Sequence, residues 1–384
     1  MLNVSQFIAD HITGRQKSMF AADIGANRDK LRAEIEGKRV LVIGGAGTIG
    51  SSYIRAVLPF RPSKLVVVDI SENGLAELTR DLRSTYGMYV PEEYRTYPLS
   101  FADPVFEKIF RAEQGFDIVA NFSAHKHVRS EKDKYSVQAL LENNVLKARK
   151  LLDLLSEYPP RHFFCVSTDK AANPVNIMGA SKRICEMIIQ TFNKHFDTEF
   201  VAVRFGNVLG SNGSVIPLFK KQIMEGGPVT VTHPDIIRYF MTIPEAVSLV
   251  LQAGAYAKGG EIFVLDMGKP VKILDLARNL IKLSGYRVGE DIKIEFTGLR
   301  PGEKLYEELL MEEEGLKETD NKMIYIGKPI ELDETEFFVQ LKKLKEESKD
   351  ESNDIRALVK EIVPTYHYAD SSSIISIGRT PDMK

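Results

Sequence analysis

The sequence predicts an α/β protein built on a doubly wound parallel sheet, and three observations lead to that prediction. Apolar strand-like runs alternate with amphipathic helical stretches from Arg39 onward, the strand-like runs are continuously apolar, and a glycine-rich loop separates the first strand from the first helix. Continuously apolar strands are buried on both faces, and strands that alternate with helices form parallel sheets with crossover connections.

The strands and helices follow one another along the chain in this alternating order. The predicted strands are residues 39–43, 65–69, 117–122, 162–167, 200–205 and 261–265. The most clearly patterned helices are residues 136–157 and 178–195, and helical pattern also occurs at 51–58, 244–256 and 273–284. Residues 206–234 are rich in glycine and proline, which predicts loops. Because helical pattern returns after these loops, we expect a smaller second lobe that is interleaved with the first.

The composition argues against several classes of protein. The chain has 384 residues, is 43% hydrophobic and carries a net charge of -2, which disfavours nucleic acid or an anionic membrane as the main partner. Cys165 and Cys185 fit neither a metal-ligand spacing nor a disulfide framework, as expected in a reducing cytoplasm. No apolar run approaches the length that spans a bilayer, and residues 1–12 are too short and polar for a signal peptide. We expect a soluble, cytoplasmic protein.

The glycine-rich loop after the first strand has the spacing of a dinucleotide-binding site. Gly44 permits a tight turn, Gly47 lets backbone N–H groups approach a pyrophosphate, and Gly50 allows close helix–strand packing. Asp69 ends the second strand nineteen residues after Gly50, where a carboxylate can accept hydrogen bonds from the adenosine ribose. The sequence therefore predicts bound NAD, with NADP as the open alternative. A helix cap is a further role that Asp69 could serve.

Candidate catalytic residues follow the predicted strand 162–167. Thr168, Asp169 and Lys170 stand at the carboxyl end of a buried strand, where open α/β sheets bind their ligands. Asp169, if protonated, can act as an acid and Lys170, if neutral, as a base, provided that burial and neighbouring charge adjust their pKa values. Lys182 lies one helical turn beyond Met178 and on the same face. The non-catalytic interpretation of Asp169 and Lys170 is a strand-end ion pair or cap.

These residues carry a resemblance to a known family. The loop from Gly44 to Gly50, together with Met178-x-x-x-Lys182, resembles the extended short-chain dehydrogenase/reductases, which have a Rossmann fold. Five longer motifs resemble, more closely, the nucleotide-sugar 4,6-dehydratases that act on N-acetylglucosamine nucleotides. The motifs are NFSAHKHV (121–128), STDKAANPVNIMGASKR (167–183), RFGNVLGSNGSVIP (204–217), IRYFMTI (237–243) and TGLRPGEKLYEELL (297–310).

The resemblance implies a reaction in three steps on one bound cofactor. Hydride leaves sugar C4 for NAD⁺, water is lost across C5 and C6, and hydride returns to C6 to give a 4-keto-6-deoxy sugar. In these steps Asp169 would donate a proton to the departing C6 hydroxyl, and Lys170 would remove the C5 proton. UDP-N-acetylglucosamine is the expected substrate, and GDP-N-acetylglucosamine stays an open alternative. The product would enter bacterial surface glycans or nonulosonic acids. The product of the guanosine nucleotide would belong to a pathway of the legionaminic acid type.

Met178 departs from the wider family, which has a proton-transferring tyrosine at this position. A thioether cannot transfer a proton, and resemblance to the subgroup with methionine here implies that Thr168 relays the C4 hydroxyl proton and that the C5 configuration is retained. Lys182 would hold the nicotinamide ribose. Two alternatives stay open: a nucleotide-sugar 4-epimerase, which would not need Asp169 and Lys170, and a non-catalytic cofactor-binding regulator, which the missing tyrosine favours.

Further binding residues complete the predicted site. The cofactor-binding set also contains Ala46, Thr48, Ile49, Ser71, Asn73, Ser100, Phe101, Ser123, Ala124 and Asn144. The substrate-binding set contains Lys126, Asn207, Arg238, Arg300 and Glu303. The two arginines offer bidentate donors to a diphosphate, and Glu303 would bind the nucleoside ribose. We predict no metal site, because His125 and His127 lack an evident third ligand.

The predicted organisation divides the chain into three parts. Residues 1–37 form a helical arm that packs on the body or on a neighbouring subunit. Residues 38–205, with about 235–265, form the NAD(P)-binding Rossmann domain, and 206–234 with 266–384 form the substrate-binding lobe and C-terminal tail. The charged run 342–354 is predicted to be a solvated helix face and linker. The resemblance also implies a homo-oligomer, a dimer or larger, paired through helices 136–157 and 178–195.

Overall fold

The structure is a computed structural model that describes most of the chain. The described residues are 25–128, 133–211, 213–308, 315–319, 321, 323–327, 330–350 and 353–368. The strands are β1 (Arg39–Ile43), β2 (Lys64–Asp69), β3 (Glu93–Pro98), β4 (Ile118–Asn121), β5 (His162–Thr168), β6 (Glu199–Phe205), β7 (Asn207–Val208), β8 (Val229–Val231), β9 (Ile237–Arg238), β10 (Phe240–Met241), β11 (Ile262–Leu265), β12 (Val271–Lys272), β13 (Ile294–Phe296), β14 (Leu316–Glu318) and β15 (Ile324–Gly327).

The helices lie mainly between these strands. They are α1 (Arg28–Ile35), α2 (Thr48–Val57), α3 (Glu72–Ser84), α4 (Pro104–Ala112), α5 (Lys134–Leu141), α6 (Lys147–Leu155), α7 (Ile177–Asn193), α8 (Val215–Met224), α9 (Ile243–Tyr256), α10 (Ile273–Leu283), α11 (Glu334–Glu347) and α12 (Ile355–Ile362). In the described part of the chain, no helix is long and apolar enough to cross a membrane.

A nine-stranded sheet in the order β14-β15-β11-β6-β5-β4-β1-β2-β3 forms the centre of the described fold. The seven neighbouring strands β11, β6, β5, β4, β1, β2 and β3 run parallel to one another. At one edge β15 pairs antiparallel with β11, and β14 pairs antiparallel with β15. Chain order reverses between β1 and β4, which pair directly, and this switch point opens a crevice at the carboxyl ends of the strands. The predicted doubly wound α/β fold is confirmed.

All six predicted strands are present in this sheet, each within one residue of its predicted bounds. Sequence reasoning missed β3, whose residues EYRTYP are mostly polar and partly exposed because the strand lies at the edge. The single helix predicted at 136–157 is wrong in detail, because a π-helical turn at Glu142–Leu146 separates α5 from α6. Asn144 in this turn bonds to the backbone of His125, which draws the helix toward the strand end.

Helices cover both faces of the sheet and create two large cores. On one face α1, α2 and α9 pack against the sheet through residues that include Leu31, Ile54 and Leu249. On the other face α4 to α7 and the C-terminal helices α11 and α12 form a second core. A third and smaller core lies between α8, α10 and the short strands β8 and β13, and it corresponds to the predicted smaller lobe.

The described part of the N-terminal arm packs on the body. In α1, Leu31 and Ile35 are buried, and Glu34 contacts the ring of His162 at 2.9 Å. Residues 28–35 therefore pack on the body of the same chain, which was one of the two predicted alternatives. Residues 1–24 of the predicted arm lie outside the described residues.

The C-terminal region differs from its predicted role as lobe and tail. Strands β14 and β15 return to the main sheet, and α11 and α12 pack against it, so these segments belong structurally with the Rossmann part. Within the charged run 342–354, Leu344 is buried, which corrects the picture of a wholly solvated face. The domain boundaries stay a proposal, and we now assign the described segments from β14 onward to the Rossmann domain.

Helix α7 is covered by the chain itself. Its residues 177–192 are all buried, and α12 lies against it. Arg149 stacks between Phe192 of α7 and Phe338 of α11, at 4.8 and 4.5 Å from the ring centroids. Over these sixteen residues α7 has no exposed face that it could offer to the predicted pairing of two subunits. Self-association itself stays a proposal and would use another surface.

Candidate active site

A cavity of about 540 Å³ opens at the carboxyl ends of the parallel strands and reaches into the smaller lobe. Its wall combines the glycine loop, the segment after β5 and the start of α7 with residues of the small lobe. The predicted site residues that line it are Gly44, Gly47, Thr48, Ile49, Gly50, Ala124, Lys126, Thr168, Lys170, Met178, Lys182, Asn207, Arg238, Arg300 and Glu303. The fold thus brings residues from both halves of the chain into one cavity.

The glycine loop is tight enough to exclude side chains at two positions. Gly44 has a φ of +75°, and a Cβ there would lie 2.7 Å from the backbone nitrogen of Ser123. A Cβ at Gly50 would lie 2.3 Å from the carbonyl oxygen of Gly44. Gly47 then caps α2, so the helix N-terminus, with its partial positive charge, lies at the cavity wall. This cradle fits the diphosphate of a dinucleotide.

Asp69 lies outside the cavity wall and organises the loop from its far side. Its two carboxylate oxygens accept hydrogen bonds from the backbone N–H groups of Ala46 at 3.0 Å and Ser71 at 2.9 Å. Helix α3 is capped by the side chain of Ser71, so the cap that we considered for Asp69 belongs to its neighbour. Asp69 is therefore held rigidly at the end of β2, and the exposed Asn73 follows in the first turn of α3.

Three predicted cofactor residues have structural roles in the described contacts. Phe101 is 5% exposed and belongs to a hydrophobic core, and Ser100 accepts a hydrogen bond from Ala102. Asn144 is buried and bonds to His125 and to the hydroxyl of Ser181. None of the three lines the cavity, nor does Ser123, whose N–H bonds to Asn121. Asn144 acts by fixing the loop 123–128, which carries Ala124 and Lys126.

Thr168, Asp169 and Lys170 form one hydrogen-bonded cluster at the end of β5. Oδ1 of Asp169 accepts from the Thr168 hydroxyl at 2.8 Å, from the Lys170 backbone N–H at 2.9 Å and from Lys170 Nζ at 3.0 Å. Oδ2 of Asp169 is buried and has no hydrogen-bond partner among the described residues. A buried carboxylate oxygen without a partner is costly, so Oδ2 is the least satisfied polar atom of this cluster.

Lys170 is protonated in the resting site, whereas its predicted role as a base requires a neutral amine. Burial acts to lower the pKa of Lys170, but the carboxylates of Asp169 and Glu307 outweigh it and raise the pKa above the ordinary lysine value. Lys170 is therefore an ammonium group paired with Asp169 at neutral pH. The condition that Lys170 be neutral is therefore not met in the resting site, because Glu307 adds a second carboxylate beside it.

Met178 and Lys182 lie one turn apart on α7 and face the same cavity, as predicted. Met178 is 3% exposed and packs in the core beneath the site. Nζ of Lys182 donates to the carbonyl oxygen of Val166 at 2.9 Å, which holds the ammonium beside the last residues of β5. Lys182 can reach a ribose that enters the cavity from the glycine loop.

A buried network that sequence reasoning missed supports the end of β5. Ser167 donates to Oε1 of Glu186 at 2.6 Å, and Arg204 on β6 donates to both oxygens of the same carboxylate. Glu186 and Arg204 are at most 1% exposed. This network fixes the strand immediately before Thr168. The signal that could have revealed it was an acidic residue within the otherwise apolar run 184–189 of α7.

The predicted diphosphate arginines differ in their surroundings. Arg238 is 8% exposed, and its guanidinium contacts Glu303 at 3.4 Å and Glu307 at 3.6 Å. Arg300 is exposed at the cavity mouth. Asn207 lines the cavity, and its side-chain amide donates to the Tyr239 carbonyl oxygen at 3.0 Å. Sequence reasoning missed Glu307, although it lies in the same motif as Arg300 and Glu303.

Comparison with known proteins identifies the family of this chain. The family described as "Polysaccharide biosynthesis protein" matches residues 40–329. The chain is 49% identical over 304 residues to the capsular polysaccharide biosynthesis protein CapD of Staphylococcus aureus, a match that covers 77% of this chain and 49% of CapD. It is 29% identical over 276 residues to a UDP-N-acetylglucosamine 4,6-dehydratase (inverting) of Campylobacter jejuni, covering 71% of this chain and 77% of that protein.

A solved structure also matches most of this chain. Pen from Bacillus thuringiensis superposes with a TM-score of 0.69 and 32% identity, covering 77% of this chain and 88% of Pen. The chain spans about half the length of CapD, 49%. The family match covers more than half of this chain and includes the glycine loop, the Thr168–Lys170 cluster and Arg238. The chain therefore belongs to the polysaccharide biosynthesis protein family.

Proposed function

We propose that the chain binds NAD and converts UDP-N-acetylglucosamine to its 4-keto-6-deoxy derivative by 4,6-dehydration. One observation carries the proposal: Thr168 and Lys170 line the same cavity as a glycine cradle for a dinucleotide, and both donate hydrogen bonds to the buried Asp169. When bound there, NAD would accept a hydride from sugar C4 and return it to C6. The cradle, the rigid Asp69 and the Lys182 ammonium fit that cofactor. NADP is disfavoured because Asp69 would repel a 2′-phosphate.

The contact between Asp169 and Lys170 gives the site one proton to share. An ammonium with a carboxylate and an amine with a carboxylic acid contain the same number of protons, so the resting pair and the acid–base assignment differ only by an internal transfer. During elimination the pair would take the C5 proton and give one proton to the C6 hydroxyl, which leaves as water. A proton returns to C5 when hydride reaches C6.

Thr168 completes the proton balance at C4. Its hydroxyl already donates to Asp169 at 2.8 Å, so a proton accepted from the C4 hydroxyl can pass to the carboxylate. That proton balances the one that leaves in water, and the pair returns to its starting state after each turnover. The arrangement replaces the missing tyrosine at Met178 by a hydroxyl at the end of β5. We propose retention at C5, on the resemblance to the methionine subgroup.

The substrate would extend from this cluster into the smaller lobe. Arg238 and Arg300 supply cations for the diphosphate, and Glu303 lies where a ribose could donate to it. Lys126 faces the same space from the loop after β4. We propose a role in bacterial surface glycan or nonulosonic acid synthesis, in the cytoplasm and as a homo-oligomer.

Incubation with UDP- and GDP-N-acetylglucosamine separately, each with NAD or NADP, tests the reaction. We expect a product lighter by one water from the uridine nucleotide, detected by mass spectrometry, with the C5 configuration read by proton NMR. A product of unchanged mass that is inverted at C4 would identify an epimerase. Bound NAD with no product from either nucleotide would favour the regulator.

A further inference from the structure

Glu307 lies between two cations that the proposed function uses. Its Oε1 atom is 3.6 Å from Nζ of Lys170 and 3.6 Å from Nε of Arg238. The Glu307 side chain is 4% exposed, so its charge is almost removed from water. Lys170 comes from the turn after β5 and Arg238 from β9, which places Glu307 at the junction of the main sheet and the smaller lobe.

The segment 303–308 has three carboxylates with different contacts. Glu303 contacts Arg238 and the hydroxyl of Thr232, and Glu308 contacts Asn173 and Lys304 at the surface. In the described ion pairs, Glu307 is the one that reaches both Lys170 and Arg238. A buried carboxylate is unfavourable unless it is paired, so these two contacts are the reason that Glu307 can occupy this position.

The loop that carries Glu307 is anchored beside the catalytic cluster. Asn176, the N-cap of α7, donates from its side chain to the carbonyl oxygen of Gly302 at 2.9 Å. Asn173 donates to Glu308 at 2.9 Å. These bonds attach residues 302–308 to the segment between Lys170 and α7, so the position of Glu307 is determined by the active-site framework.

We propose that Glu307 is a positioning residue that holds the Lys170 ammonium against Asp169 and links it to the diphosphate-binding Arg238. The inference rests on the proposed function and adds a residue that couples its two parts. When a diphosphate binds Arg238, the phosphate competes with Glu307 for the guanidinium group. The carboxylate of Glu307 then interacts more strongly with the ammonium of Lys170. The Asp169–Lys170 pair would then be held most firmly in place when the substrate is bound.

The variant Glu307→Gln tests this role because it keeps the shape and removes the charge. Loss of a carboxylate near an ammonium lowers the lysine pKa, so the basic limb of the kcat profile should move to lower pH by about one unit. We expect kcat to fall about tenfold at neutral pH, since one positioning contact is lost, with KM changed less than about threefold. Glu307→Asp should restore part of kcat and of the pH limb.

Matched variants separate charge near Lys170 from charge elsewhere in the segment. Glu308→Gln removes the same charge one residue along, on a side chain that is 51% exposed. Its amide oxygen can still accept the hydrogen bond from Asn173, so the loop stays anchored, and kcat and the pH profile should be unchanged. Glu303→Gln removes the other carboxylate at Arg238 and should raise KM without moving the basic limb. Thermal unfolding of each variant checks that the fold is retained.

A titration that does not require turnover distinguishes failure of this inference from failure of the proposed function. In protein carrying ¹³C-labelled lysine, the Lys170 signal is assigned by its loss in Lys170→Met and followed with pH by NMR. We expect Lys170 to lose its proton at lower pH in Glu307→Gln than in the unmodified chain and in Glu308→Gln. An unchanged Lys170 titration, or an effect of Glu307→Gln on KM alone, would overturn the inference.

Discussion

The two sides of the active-site cavity are built in different ways. On the cofactor side, the hydrogen bond from Ala46 to Asp69 joins residues 23 apart in the chain. On the substrate side, the bond from Asn176 to Gly302 joins residues 126 apart. The cofactor cradle is therefore a product of local sequence, whereas the charge and position of the catalytic pair depend on a distant loop. Changes in each side should have separable effects on cofactor content and on chemistry.

The largest effect is expected from removal of the catalytic pair. The double variant Asp169→Asn with Lys170→Met should lower kcat by about 10⁴-fold, because neither proton transfer at C5 nor at C6 is supported. NAD content, measured from the absorbance of cofactor released from the denatured protein, should stay near that of the unmodified chain. Retained turnover in this variant would refute the role of the pair.

The next effect tests whether the distant C-terminal helices support the catalytic helix. Leu344 is 0% exposed in the core shared with α7, and Leu344→Ala should lower the free energy of unfolding by about 2–5 kcal/mol. Val339→Ala, on the same helix but 63% exposed, should change it by less than about 0.5 kcal/mol. Denaturant unfolding measures both values, and equal effects would contradict the assignment of α11 to this core.

A smaller effect is expected from loss of the proposed relay. Thr168→Val keeps the shape of the side chain but removes the hydroxyl that donates to Asp169, and hydride transfer should slow by about 100-fold. Cofactor absorbance after addition of UDP-N-acetylglucosamine, followed by stopped flow, measures this step. A valine variant that transfers hydride at the original rate would show that another group accepts the C4 hydroxyl proton.

The smallest effect on stability is expected in the cofactor cradle. A methyl group at Gly50 would lie 2.3 Å from the Gly44 carbonyl oxygen, so Gly50→Ala should displace the loop and cost about 1–3 kcal/mol of stability. NAD content should fall with it, in contrast to the catalytic variants. Gly25→Ala, where no heavy atom lies within 4 Å of the added methyl group, is the matched control.

Much of the sheet and the cofactor cradle could be predicted from sequence, because both depend on short-range patterns. Continuous apolar runs located six strands, and the spacing of Gly44, Gly47 and Gly50 located the loop. The edge strand β3 was missed because its exposed residues break the apolar pattern. The covering of helix α7 could not be predicted either. The helices α11 and α12 that cover it lie more than a hundred residues later in the chain.

The charge state of the site could not be predicted for a related reason. Asp169 and Lys170 are adjacent in sequence, so their contact was foreseeable as an ion pair. Glu307, which helps to keep Lys170 protonated, comes from a loop that folding brings to the same place. A local motif identifies which groups are present in a site, whereas their protonation depends on every charge that the fold places around them.

The most direct test of the central claim follows one hydrogen atom. UDP-N-acetylglucosamine carrying deuterium at C4 is incubated with the NAD-loaded protein, and the product is analysed by mass spectrometry and deuterium NMR. We predict a product lighter by one water with the deuterium at C6. Deuterium that stays at C4, or a sugar of unchanged mass, would contradict the claim that the cofactor and the Asp169–Lys170 pair act together in one cavity.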